Sequence, residues 1–483
     1  TSTDTQCVTS SVGNLCTTET QTATNRTTAS PQGRVTQETL DALQRLVELR
    51  LPGAPRLRTQ YTGDDVTALI VDPDGVLGNA DDRKTQMFYD ANGNLARVVD
   101  PLTHETLFED YDASDRPATI VLSDAAEVAM TYDEEGNVAT LTPPGKAAHG
   151  MTYGPRGRIE SYTPPVGNAV SFHYDLDRRM DLIDFGLDTL GQPHQVDFNY
   201  NTVSGLLSSI VSPAGNISVG YTAGHMTSLV APSKNGPITT NIDYDGFLPT
   251  SVGWSGAVAG NVSWTYNERF LVQTETVGAL PATAVTYNYD RDGLVTQAGA
   301  LTITRDATSG RVTQKTVGNL RETFQYNAYA ELARQTLVRL GAGGVVVETL
   351  YDAVYSDGGA NGARDALGRI VKKTERIVQS DAPVSGARTL ESKTYDYGYN
   401  ADGRPWLESV AVNGSVVSSY SYDANGNRTS AELDWSSQGY STDFDASLME
   451  SDTEYDSADK LLRYGTKEYA WNEFGQLSSV TDT

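Results

Sequence analysis

A tyrosine followed by a turn returns about every 21 residues through most of this chain. Tyr89, Tyr111, Tyr132, Tyr153, Tyr174, Tyr200, Tyr221, Tyr244, Tyr266 and Tyr289 stand 22, 21, 21, 21, 26, 21, 23, 22 and 23 residues apart. The fuller form is Tyr-Asp-x-x-Gly-x-apolar, as in Tyr89-Asp90-Ala91-Asn92-Gly93-Asn94-Leu95. A period near twenty defines a repeat architecture: each unit is one supersecondary element that buries its face only against its neighbours. For a chain of 483 residues this argues for one unit growing by addition rather than several unrelated domains.

The motif has a mechanical reading. Tyr ends a strand, where its ring packs on a pleated surface. Asp at the first turn position can accept backbone N–H groups further on. Gly93, Gly136, Gly157, Gly293 and Gly426 fall four residues after Tyr89, Tyr132, Tyr153, Tyr289 and Tyr422, where a positive φ is needed and cheap. Where Gly is missing, Asp115 or Asp459 stands in, since Asp tolerates the left-handed region better than most residues. Asp90, Asp133, Asp290 and Asp423 complete the best copies. An apolar residue then opens the return strand.

Each unit is therefore a hairpin with strands of roughly eight residues, about 26 Å long. Some eighteen hairpins side by side make a ribbon on the order of 170 Å. Twist accumulates in so long a sheet, and it must coil or close. A coil of that perimeter is too wide for side chains to fill. The expectation is an all-β chain whose hairpins spiral into a large hollow shell or an open coil. The composition agrees: 38% hydrophobic residues, 44 Gly, and 26 Tyr against 10 Phe and 5 Trp suit a thin wall with many turns.

Three segments follow. Residues 1–35 are polar and Thr-rich and read as a strand pair, with Cys7 and Cys16 close enough for a disulfide or left as two free thiols. Residues 36–56 read as one short helix and a linker: Thr36 as N-cap, Leu40, Leu43 and Val47 on one face, Pro52-Gly53 as the stop. That helix is a candidate end plug. Residues 57–483 carry the repeats, blurred between 328 and 376, where 356–362 is a Gly-rich loop and Asp365-Ala366-Leu367-Gly368-Arg369 keeps the turn without its Tyr. The period returns at Tyr399, Tyr422, Tyr455 and Trp471.

These copies resemble the YD-repeat (RHS-repeat) family, which includes bacterial Rhs polymorphic toxins, the C component of Tc toxins and the teneurins. The resemblance covers roughly residues 57–483. It implies that the hairpins form a hollow shell around a polypeptide. Toxin-bearing members continue into an Asp-Pro-x-Gly core that supports autoproteolysis and then into a variable toxic domain. Here Asp100-Pro101 is followed by Leu102-Thr103-His104 and no such core comes later, so neither activity carries over and the chain is expected to be non-enzymatic.

Other chemistry is sparse. The five histidines, 104, 149, 173, 194 and 225, lack the i, i+4 spacing of a helical metal site, and no phosphate-binding loop, dinucleotide fingerprint or Gly-x-Ser-x-Gly elbow occurs. The acidic segment 72–82, Asp72-Pro73-Asp74-Gly75 to Asp81-Asp82, loosely resembles a calcium loop. Its Gly falls at the wrong place and its closing Glu is absent, so an acidic hairpin loop is the stronger reading. No cofactor is expected. Asn25, Asn216, Asn261, Asn413 and Asn427 head glycosylation sequons, which matter only in a eukaryotic secretory pathway. A net charge of -26 disfavours nucleic acid and anionic membrane, and no apolar run is long enough for a membrane span. The chain begins with Thr1, as expected if a leader has been removed or more chain precedes it.

The reading that unites these features is a secreted or surface-exported shell enclosing a polypeptide cargo, either a C-terminal extension or a separate chain. Its other partners would be a secretion-system component, a cell-surface receptor or identical copies. An alternative is an extracellular structural or adhesion protein that uses its outer face or strand edges. A wall-binding solenoid ranks last, because aromatic hairpins of that kind need repeated Trp pairs.

Overall fold

The computed structural model describes all residues except 11–12, 189, 279–283, 356–362, 379–389, 434–452, 473 and 483. The Gly-rich loop expected at 356–362 lies outside the described residues. Thirty-seven strands form one sheet and four more, from Thr453–Tyr455 to Leu477–Asp482, form a second. Within each sheet the register is antiparallel, each strand hydrogen-bonding to its neighbours in sequence. The only described helical turn is Ala342–Gly344.

The helix expected over 36–50 is not there. Val35–Leu40 is a strand between Asn25–Ala29 and Leu46–Arg50. Asp41 is not in a helix but heads a turn. Its Oδ1 accepts the amides of Leu43 and Arg45 at 2.8 and 3.0 Å, and Gln44 takes a φ of 66°. The spacing of Leu40, Leu43 and Val47 straddles that turn, so Leu43 stands exposed at its tip. Two flanking ladders satisfy the backbone here, and they outweigh local helix propensity. The end plug falls with the helix. Repeat geometry also begins before residue 57, since the Asp41 turn is already one of its units.

The motif tyrosines mark where the ladder slips. The pairing register shifts between the preceding residue and Tyr89, Tyr132, Tyr153, Tyr174, Tyr200, Tyr244, Tyr266, Tyr289 and Tyr422. Such bulges bend the strand and raise the local twist. Repeated once per hairpin, they curl the ribbon.

How far it curls is fixed by contacts between distant residues. Arg34 pairs with Asp290 and Asp292 at 2.7 and 2.5 Å. Arg83 pairs with Glu331 at 2.6 Å, Lys146 with Asp423 and Asp459 at 2.9 and 3.0 Å, and Arg404 with Asp124 at 2.8 Å. His194 stacks on Phe474 with ring centroids 3.9 Å apart. Contacts across one circuit thus join residues from 248 to 313 apart, and the chain makes almost two wraps. Twenty-three strand steps separate Asn25–Ala29 from Val285–Tyr289. At the usual spacing this gives a perimeter of about 110 Å and a diameter of about 35 Å.

The wall is one sheet thick. The molecule exposes 27138 Å² for 52.0 kDa, against about 17,000 Å² for a compact monomer of that mass. Fully buried side chains are few among the described residues. Among them Val410, Val412 and Val417 form an apolar nucleus, with Tyr395, Tyr397, Leu407 and Tyr420 against it. At the start of the chain Cys7 faces Cys16 across Ser2–Ser10 and Gly13–Gln21 in a disulfide.

Candidate functional site

The functional element of a wall is the device that closes it. Each hairpin turn lies on one of two rims. One rim holds the turns that follow motif tyrosines; the other holds the turns between units.

At the tyrosine rim Asp performs the expected task. Asp90 Oδ1 accepts the amides of Asn92 and Asn94 at 2.8 and 2.9 Å. Asp290 accepts Asp292 and Leu294, and Asp423 accepts Asn425 and Asn427. Asp133 takes Asn137 through both its backbone and side-chain nitrogens. Gly93, Gly136, Gly157, Gly293 and Gly426 have φ of 91, 95, 68, 85 and 92°, and Asp115 and Asp459 take 58 and 61°.

The tyrosine hydroxyls add a link that spacing alone did not reveal. Most donate to a carbonyl at the opening of the return strand of the preceding unit. Tyr111 reaches Leu95, Tyr132 reaches Pro117, Tyr289 reaches Val272 and Tyr422 reaches Leu407, at 2.5, 2.9, 2.7 and 2.7 Å. Tyr89 does the same to Val66 at 2.9 Å. Tyr153 shares the register slip. An arginine from the preceding turn often covers the ring. Arg116 lies over Tyr132, Arg158 over Tyr174 and Arg179 over Tyr200, 4.5, 5.2 and 4.4 Å from the centroids. Arg116 and Arg179 also hold the turn acids Asp112 and Asp175. These guanidiniums hold both carboxyls below the usual carboxylate range, although partial burial opposes ionisation. The recurring Tyr-Asp-x-x-x-Arg at 111–116 and 174–179 was the available signal.

The seam joins the two rims. The contacts that cross it among the described residues place a between-unit turn of the first wrap against a tyrosine turn of the second. The turn at 30–34 meets 290–294, Gly53 meets Arg311, and Asp81 and Arg83 meet Tyr329 and Glu331. Burial opposes ionisation of Asp290, Glu331 and Asp423, but the facing Arg34, Arg83 and Lys146, with local amides, hold each below its usual range. Tyr329, three residues after Tyr326, is only 6% exposed, its ring under Arg83 at 3.6 Å. Phe474, three after Trp471, sinks between His194 and Phe185 beside a cavity of about 230 Å³ lined by Tyr162, Pro164 and Val166. Sequence reading missed these seam residues, because nothing local distinguishes Arg34 or Lys146 from other surface cations.

The acidic loop at 72–82 works as a turn. Asp72 is buried against Arg58 at 2.7 Å and accepts the Gly75 amide; Asp74 accepts Val76 and Asn79; Asp82 accepts Gly78. Asn79 Oδ1, Asp81 Oδ1 and Asp82 Oδ1 have no hydrogen-bond partner. Among the described residues no three His, Cys, Asp or Glu converge into a group that could hold a metal, and no described helix is long and apolar enough to cross a membrane.

A coiled single-layer wall of tyrosine hairpins closed on itself is the architecture of a YD-shell. The teneurin YD-shell family profile matches residues 78–483, and the chain belongs to that family. Among solved structures it is similar to TcdB2-TccC3-Cdc42 (12% identity, TM-score 0.57) and TcdB2-TccC3 (13%, 0.57), covering 99% and 98% of this chain but 24% of each of those. A Tc holotoxin pore from Photorhabdus luminescens is similar at 13% identity and TM-score 0.56, over 97% of this chain and 23% of that one. The chain thus spans about a quarter of the solved chains it matches, and at such identity the likeness is one of fold. No curated protein matches it.

Proposed function

We propose that this chain is the wall of a non-enzymatic, secreted or surface-exported compartment that encloses a polypeptide. The observation that carries the reading is the exposed area of 27138 Å², half again that of a compact protein of this mass, on a wall zipped shut along a charged seam. Side chains project roughly 5 Å from each face, which leaves a lumen on the order of 25 Å across. That admits an unfolded or partly folded chain and excludes a protease. The cargo is a C-terminal extension or a separate polypeptide; a secretion-system component or a cell-surface receptor is the expected outside contact.

The test is protection. An unstructured, dye-labelled polypeptide is appended after Thr483 and digested with a large protease. We expect slow cleavage in the intact shell and fast cleavage when Arg34→Met and Lys146→Met open the seam. Cleavage as fast as that of the free polypeptide, with the seam intact by hydrogen exchange, overturns enclosure.

A second reading, an extracellular structural or adhesion module, is favoured by exposed apolar side chains at described turns outside the seam, such as Phe247 and Phe270.

A further inference from the structure

At Arg34, Arg83, Lys146 and Arg404 the seam sets a cation of one wrap against an acid of the other. One stretch is built differently. The turn joining Ile159–Thr163 to Val170–Tyr174 runs Pro164-Pro165-Val166-Gly167-Asn168-Ala169 and carries no charge. That turn and the turns at 456–460 and 472–476 line the cavity of about 230 Å³. Tyr162, Val166, Val170, Phe185 and Phe474 give it apolar and aromatic walls. A 2.6 Å hydrogen bond between the Tyr162 hydroxyl and His149 Nδ1 fixes one ring, and stacking on His194 fixes that of Phe474. A single cation enters. Lys460 lines the cavity, and a Cβ added at Gly475 would lie 3.1 Å from its Nζ. Arg116 and Arg179 pair with the acids four residues before them. Lys460 does not pair in this way with Asp456, whose Oδ1 accepts the Ala458 and Lys460 amides at 2.8 and 2.9 Å. Asp459 is engaged by Lys146 and Asn427. Among the described residues Lys460 has no carboxylate partner, in a chain where acids outnumber bases 62 to 36.

We propose that this cavity binds a small carboxylic acid with an aromatic body, its carboxylate on Lys460 Nζ and its ring among Tyr162, Phe185 and Phe474. A half-buried ammonium without a counter-ion has lost hydration that an anion restores, and the hydrogen bond between two ions is the stronger kind. Volume sets the body. An apolar cavity of about 150 Å³ holds benzene, so a cavity of about 230 Å³ takes a phenyl ring with a short acid arm. Aromatic walls favour an aromatic guest, which meets them offset or edge to face. Inorganic phosphate would match the charge and leave those walls uncovered. The guest would touch Tyr162, Val166 and Phe185 of the first wrap and Ala458, Lys460 and Phe474 of the second. Binding would therefore tighten the seam where the four-stranded sheet meets the first wrap. Nothing in this site depends on whether cargo fills the lumen.

Titration of the whole chain with 3-phenylpropionate, followed by ligand-observed NMR, tests it. The expected result is saturable binding, with slower hydrogen exchange at the 456–460 and 472–476 turns when the probe is present. Lys460→Met should weaken binding by roughly tenfold, the loss of one charge-assisted hydrogen bond, and Lys460→Arg should restore most of it. The neutral amide, 3-phenylpropionamide, should bind more weakly than the acid and be indifferent to Lys460→Met. Ala458→Phe, which places a ring in the cavity, should abolish binding of both probes. Absence of saturable binding at millimolar probe overturns the proposal, as does equal affinity of the native chain and Lys460→Met for the acid. Binding that survives Ala458→Phe, or inorganic phosphate that binds as tightly as the aromatic acid, also overturns it.

Discussion

Arg83 and Glu331, 248 residues apart in sequence, form a two-pronged ion pair with N–O distances of 2.6 and 3.2 Å. Both are largely buried, and Arg364 approaches the same carboxylate at 3.4 Å. Arg83→Met leaves Glu331 desolvated with its main partner gone, at a cost of roughly 2–4 kcal/mol. Hydrogen exchange at the 327–331 turn should accelerate, while turns far from the seam keep their protection. Lys372→Met, which removes an exposed pair with Asp396, should cost less than about 1 kcal/mol. Equal effects would refute the seam as the place where the wall is held.

Acid should open the shell along the same line. Asp290, Glu331 and Asp423 have carboxyls held below their usual range in the folded wall. A depressed folded pKa gives stability that is complete above the unfolded value, about 4, and is lost as pH falls through the folded value. The scattering radius should therefore hold steady from pH 7 to about 5 and rise below about 4. Lys146→Met removes the cation between Asp423 and Asp459 and should move that opening to higher pH. No movement would show that the seam acids do not govern it.

The tyrosine hydroxyls predict a graded, local effect. Tyr266 donates to the Pro249 carbonyl at 2.6 Å. Tyr266→Phe removes that bond and leaves the ring in place, at a cost of about 1 kcal/mol. In an array held by nearest neighbours the loss should appear as faster exchange in the hairpins around 249 and 266. A global loss of structure would contradict the link-by-link picture.

Turn positions sort by their surroundings. A Cβ added at Gly426 would lie 3.0 Å from the Trp406 ring, whereas one at Gly93 meets open space. Both residues are left-handed, so each change to Ala costs about 1 kcal/mol from the backbone, with a further penalty only at Gly426. Arg178, exposed at a φ of 71°, should gain up to about 1 kcal/mol on becoming Gly. Chemical denaturation of the three variants should rank them in that order.

The wall was legible because its information is local. Tyr89, Asp90 and Gly93 announce a hairpin within five residues, and the copies at 132–136, 289–293 and 422–426 repeat it. The segment 36–50 was misread for the same reason. Thr36, Glu38 and the spacing of Leu40, Leu43 and Val47 meet every local rule for a helix, and only the ladders to Asn25–Ala29 and Arg56–Thr62 through Leu46–Arg50 decide otherwise. The seam was invisible. Arg34 meets Asp290 because of how many hairpins lie between them, and no window of sequence contains that number.

That number has a consequence for how such a wall can change. Each strand bonds only to its neighbours in the chain, so hairpins can be gained or lost without rethreading the fold. Yet adding one within a wrap slides every later clasp by a full tooth, and Arg34 would then confront a neighbouring turn instead of Asp290. The girth of the vessel is thus a whole number, altered only in steps that leave cation opposite acid again around the entire ring.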